Sequence, residues 1–146
     1  MSSPMHDPPE RKSRLVLEFR AGDRMLVNGA ALQFKTRASV VLSNRVRFLF
    51  GKQILSPEDA RTPARRLYFA IQAAYVCEDT ERPRFLELAR GLADEYAEAT
   101  TSGTARILVA GAVADLEDGR CWDAMRRVRD LFAHDDAVLA ASTPEA

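Results

Sequence analysis

Thr62-Pro63-Ala64-Arg65-Arg66-Leu67-Tyr68-Phe69-Ala70-Ile71-Gln72-Ala73-Ala74-Tyr75-Val76-Cys77 is the stretch on which the fold turns. Threonine before proline is a helix start: the hydroxyl serves as N-cap, and proline at the first helical position loses only an N–H with no intrahelical partner. From Leu67 to Cys77 every residue except Gln72 is apolar. A helix apolar all round has no face to give to water. The stretch therefore predicts a central helix, enclosed between a sheet and later helices or at a subunit interface. Arg65 and Arg66 fall in its first turn, where cations oppose the helix dipole. They need an anion, and two sources stand open: an internal carboxylate such as Glu58 or Asp59, or a phosphate from outside.

Upstream of this helix the pattern is that of short strands. Leu15, Leu17 and Phe19 alternate with Val16 and Glu18, the period of a half-buried strand. Ala21-Gly22-Asp23 reads as a turn. Asn28-Gly29, between Met25-Leu26-Val27 and the run from Ala30 to Phe34, is a strong hairpin signal, because both residues tolerate positive φ. Ala38 to Leu42 and Val46 to Phe50 add a further pair around Ser43-Asn44. About five short strands thus crowd into 14–51, joined by connections short enough for an antiparallel meander. So small a sheet needs a second layer, which the helices would supply.

Downstream the pattern is helical. Ser56-Pro57-Glu58-Asp59 resembles one helical turn. Thr80-Glu81-Arg82-Pro83 opens a helix with Phe85, Leu88, Leu92 and Tyr96 as its stripe. Thr104 is the expected cap of a third helix, stopped at Gly119. The last runs from about Cys121 to Phe132, with Asp123–Arg127 and Arg126–Asp130 as i,i+4 pairs on its wet side. The expected class is α+β, a small antiparallel sheet followed by a bundle of about four helices. Residues 1–13 read as a flexible tail, 14–55 as a basic β-rich module, 56–133 as a helical module sharing its core, and 134–146 as a frayed C-terminal tail.

The net charge is +0, but the charge is divided. Residues 14–66 carry eleven basic side chains against four acidic; residues 67–146 carry eight against fifteen. Such asymmetry suits a polyanion partner for the basic part, or mutual attraction between the two parts or their copies. No Gly-rich phosphate loop, nucleophile elbow or metal-ligand spacing is present, so neither catalysis nor a cofactor is expected. Cys77 and Cys121 read as core thiols. The carboxylates at Glu95/Glu98 and Asp115/Glu117/Asp118 read as solvated helix faces, and His134 as a helix-end residue. With no apolar segment resembling a signal or a membrane span, a cytoplasmic protein is expected.

The positive signal is basic residues interleaved with strands and turns: Arg20, Arg24, Lys35, Arg37, Arg45, Arg47 and Lys52, then Arg61, Arg65 and Arg66 around the start of the central helix. They predict a basic rim that binds phosphates by counterion release. Arg24, Arg45, Arg47, Lys52, Arg61, Arg65 and Arg66 are its expected contacts. Phe19, Phe34, Phe48 and Phe50 could stack on bases, but alternation points them to the core.

Three stretches carry a family resemblance: Gly22-Asp23-Arg24-Met25-Leu26-Val27-Asn28-Gly29-Ala30; Val41 to Arg45 with Lys52-Gln53-Ile54-Leu55; and Thr62 to Gln72. In order and spacing the sequence resembles the FlbT family of flagellum-biosynthesis regulators over about 14–133. Gly51 and Gln53 stand where that family more often has charges, leaving Lys52 alone. The resemblance implies post-transcriptional control of flagellum biogenesis, through binding of the 5′ untranslated region of flagellin mRNA and its degradation or translational block. Some relatives support flagellin production, so the sign of regulation stays open. It also implies work alongside FlaF, a small flagellar protein. The alternative is an interaction adaptor for FlaF or flagellin without direct RNA binding. A homo-oligomer through the central or third helix is a further expectation.

Overall fold

The burial of α1 (Pro63–Val76) organises everything around it. Ala64, Leu67, Tyr68, Ala70, Ile71, Ala74 and Tyr75 are all buried. In the structure, a computed structural model describing residues 15–44 and 46–142, three helices, a strand and the tip of a hairpin close over it. The expected α+β class holds.

Five strands form two sheets rather than one meander. β1 (Leu15–Phe19) pairs antiparallel with β4 (Ala38–Leu42). β2 (Arg24–Val27) lies between β3 (Ala30–Gln33) and β5 (Phe48–Phe50), antiparallel to both. Alternation explains the layering. Met25, Phe48 and Phe50 face the β1–β4 ribbon, meeting Phe19, Leu17 and Val40 in a small sandwich core. Leu26 and Leu49 face the other way and join the helical core. The three-stranded sheet is thus a middle layer, and the second layer that the sequence asked for is partly β.

All four phenylalanines fill the sandwich. Phe19 stacks on Phe34 with centroids 4.1 Å apart, and meets Phe50 edge-on at 6.0 Å. The hairpin turn is as expected, with Asn28 at φ 54 and Gly29 at φ 83.

α2 (Arg82–Ala99) and α4 (Cys121–Arg129) pack on α1, and α3 (Gly103–Glu117) packs behind them on α2 and α4. Three details differ from the pattern. Ser102, not Thr104, caps α3, its hydroxyl accepting from the Ala105 N–H at 3.1 Å. α2 turns Ala89, Ala93 and Tyr96 inward and leaves Leu88 half exposed, because small residues let the helices approach closely. Asp115 is no solvated carboxylate: it is 1% exposed and takes Arg127 Nε at 2.6 Å and Arg120 Nη2 at 2.9 Å, so Arg127 pairs there rather than with Asp123. Cys77 and Cys121 are buried, and burial pushes the Cys121 thiol up to about 11, far from reactive thiolate chemistry.

The larger correction lies at the C-terminal side. A fifth helix, α5 (Phe132–Ser142), occupies residues expected to fray. The reason is Asp135, 6% exposed, which accepts from the Ala64 N–H at 2.7 Å and from the Tyr96 hydroxyl at 2.6 Å. Both the burial of the phenol and its bond to the carboxylate raise the Tyr96 pKa. A buried carboxylate with two donors is anchored. Asp135→Ala leaves a backbone N–H and a phenol unbonded, so it is expected to cost about 2–3 kcal/mol, and Tyr96→Phe about 1 kcal/mol. Urea unfolding at constant m-value measures both, and an unchanged midpoint for Asp135→Ala would dismiss the anchor.

Candidate functional site

The strand register gathers cations at one end of the sandwich. Phe19 and Ala38 are the last pair of the β1–β4 ribbon, so Arg20 and Arg37 follow as neighbours across it. Gly22 N–H donates to the Phe34 carbonyl at 2.7 Å, and Phe34 N–H to the Asp23 carbonyl at 2.9 Å, laying the first turn on the segment carrying Lys35 and Arg37. The Asp23 carboxylate is held in the turn by the Arg20 backbone N–H at 2.7 Å. Arg24 opens β2 opposite Gln33, and the Met25–Phe50 pairing sets the turn Gly51–Gln53, with Lys52, beside it. Arg24 Nη1 reaches the Ser56 hydroxyl at 2.9 Å.

Arg20, Arg24, Lys35, Arg37 and Lys52 therefore share this end, and all are exposed. Among the described residues none of the five side chains pairs with a carboxylate. Ser56 leads on to α1, whose 14 residues place its N-terminus about 20 Å from the Asn28-Gly29 turn. Arg61 and Arg66 consequently approach the same end, both exposed. Arg61 Nε donates to the Glu58 carbonyl at 2.8 Å, and the Arg66 guanidinium reaches the Arg61 carbonyl at 3.5 Å.

Two of the expected contacts are spent inside the fold. Arg47 lies at the opposite end, its Nε on the Tyr75 carbonyl at 2.9 Å and its Nη2 on Asp79 at 2.8 Å. There it caps the C-terminus of α1, where a cation suits the dipole. Arg65 is held by Asp136 through two bonds of 2.8 and 3.1 Å and lies 4.6 Å over the Phe132 ring. The internal carboxylate for α1's first turn is thus supplied by α5, not by Glu58 or Asp59. Arg45 lies outside the described residues.

The expected contact set omitted Arg20, Lys35 and Arg37, which belong to the rim; their place in turns without pairing carboxylates was the available signal. It also missed α4. Arg129 Nη2 donates to the Lys52 carbonyl at 3.1 Å and the Tyr68 hydroxyl at 2.8 Å, tying α4 to the basic end. Chemically, the end offers exposed guanidinium and ammonium groups, while Phe34 and Phe50 beside them are engaged with Phe19 and Phe48, which suits phosphates better than bases. Among the described residues no group of three or more His, Cys, Asp or Glu is placed to hold a metal, and no helix is long and apolar enough to cross a membrane.

These features define an α+β protein in which a five-stranded sandwich with one cationic end is docked on a helical bundle. The chain belongs to the FlbT family: the family model described as flagellar protein FlbT matches residues 15–139. Among similar proteins, the probable flagellum biosynthesis repressor protein FlbT of Brucella anthropi is 28% identical over 141 residues, covering 93% of this chain and 89% of that one. The proteins of the same name from Brucella ovis and Brucella suis are 29% identical over 135 residues, covering 89% of this chain and 85% of each. No solved structure matches the chain. The family and the relatives' names support a regulatory role in flagellum biosynthesis.

The Arg65–Asp136 pair has a pH signature. The Arg65 guanidinium holds the Asp136 carboxyl below its ordinary value, and Asp136 raises Arg65 in return. A carboxyl depressed in the folded state stabilises above its unfolded pKa, and that contribution fades as pH falls through the folded one. A carboxyl NMR titration is expected to place Asp136 below an ordinary aspartate of about 3.9, and Arg65→Gln to return it there. Identical midpoints in both proteins would show that the pair does not form in solution.

Proposed function

We propose that this protein is a post-transcriptional regulator of flagellum biogenesis. It binds the 5′ untranslated region of flagellin mRNA through the cationic end of the sandwich and promotes decay of the transcript or blocks its translation. The supporting observation is the convergence of Arg20, Arg24, Lys35, Arg37 and Lys52, exposed and without carboxylate partners. Five cations in one region outnumber the neighbouring Glu18 and Asp23 and repel one another, and a bound polyanion relieves that repulsion. Arg61 extends the surface, while Arg47 and Arg65 are withdrawn from it. With the phenylalanines packed against one another in the sandwich, selectivity rests on polar side chains, backbone groups and the shape of the RNA.

Fluorescence-anisotropy titration with a flagellin-leader RNA tests this reading. Affinity should fall steeply with salt; contact with four phosphates of a single strand gives a log–log slope of about −3. Reversing Arg20 and Arg37 together to Glu should weaken binding by more than about tenfold and flatten the slope by about 1.4. Arg84→Glu, on the helical part, should leave both within about twofold, being a lone surface charge already paired with Glu81. Unchanged binding after the double reversal removes the basic end from the site. If the wild-type protein binds no RNA but co-purifies with FlaF or flagellin, the adaptor reading replaces this one.

A further inference from the structure

α5 is anchored at its start and solvent-exposed at its end. Phe132 packs against Tyr68, and Asp135 and Asp136 are bonded, but every residue from 137 to 142 is exposed. Val138 is 51% and Leu139 47% exposed. These two side chains form one wall of a groove of about 460 Å³, with Leu92 and Ala99 of α2 on the other. Its size falls within the range of about 300–1,000 Å³ that proteins use to bury apolar groups. Two charges stand on its rim, Arg66 and Glu95, both exposed. Neither makes an ion pair among the described residues.

The surface therefore carries an apolar helix end beside an apolar groove, and an unpaired cation beside an unpaired anion. Each feature complements another on the same patch. That is the requirement of an isologous contact, in which residue i of one copy meets residue j of the other and the reverse. We propose that this groove is a homodimer interface, with the Val138–Leu139 end of α5 in each copy seated in the α2–α5 groove of the other and Arg66 facing the second copy's Glu95. Neither helix expected to mediate association fits as well. α1 is largely enclosed within its own protomer, and α3 offers Ile107, 73% exposed, beside the small Ala110 and Ala114. The dimer would also withdraw Arg66 from any RNA contact, leaving the sandwich end accessible. The inference stands independently of the RNA reading.

Sedimentation of the full chain without RNA, from about 1 μM to about 1 mM, spans the affinities expected of a small interface. The weight-average mass should rise from 16.2 kDa toward twice that value. Leu139→Glu, and the milder Leu139→Ser, should each weaken association, the first by more than about tenfold, with far-UV circular dichroism unchanged. Arg66→Glu and Glu95→Arg alone should each weaken it, and the combined swap should return it to within about threefold of the wild type, the behaviour of a direct pair in a double-mutant cycle. A monomer throughout, the outcome expected if another protein fills the groove, overturns the proposal. So does a dimer indifferent to these substitutions, or one that the swap fails to restore.

Discussion

A helix buried on every side must satisfy its own ends, and α1 does so with partners from all over the chain. At its start Pro63 has no N–H to satisfy, Ala64 donates to Asp135, and Arg65 and Arg66 donate to the side chain and carbonyl of Thr62. At its finish the Ala74 carbonyl accepts from Arg82, Tyr75 from Arg47, and Val76 from Gly29. Unbonded polar backbone groups in a dry interior cost free energy comparable to lost hydrogen bonds. The apolar run from Leu67 to Cys77 therefore calls for the hairpin tip, the arginines and the α5 aspartate, not merely for apolar neighbours. Gln72, the exception in that run, follows the same logic: its amide accepts from Leu55 N–H at 2.8 Å and donates to Leu55 carbonyl at 3.0 Å, fixing the segment between sheet and helix.

This requirement also sorts the arginines. Arg47, Arg65 and Arg82, at the ends of α1, are drawn inward by carbonyls and carboxylates, whereas Arg66 beside them stays exposed. Those on the sandwich turns find no such partners and stay exposed. The same chemical group thus serves as a structural tie at the ends of α1 and as exposed positive charge on the sandwich turns. Sequence-wide charge asymmetry becomes a spatial polarity because the hairpin tip is pinned at Val76, which turns the opposite ends of β1 through β5 away from the acidic segment around Asp79.

Much of the fold was legible because its signals are local. The caps and φ constraints of Thr62-Pro63 and Asn28-Gly29, and the alternation through Phe48-Leu49-Phe50, act over a few residues. What escaped is non-local. The division of five strands into two sheets depends on β5 choosing β2 over β4, and nothing near Phe48 specifies that choice. α5 escaped because Asp135 gains its role only through Ala64 and Tyr96, each distant in sequence. At the candidate site, charge and turn chemistry found the rim, but whether an arginine is free or spent depends on which carbonyl or carboxylate the fold brings within reach. Arg47 and Arg65 could not be separated from Arg24 and Lys52 without that.

The bond between Ala64 and Asp135 spans 71 positions in sequence. During synthesis the first turn of α1 leaves the ribosome long before its partner has been translated. The central helix can collapse against its sheet at that stage, capped by Thr62, but its Ala64 N–H lacks its carboxylate until α5 emerges. Native closure is therefore coupled to the synthesis of α5, and a product truncated before Asp135 would retain an open N-terminal turn and a Tyr96 hydroxyl without its carboxylate.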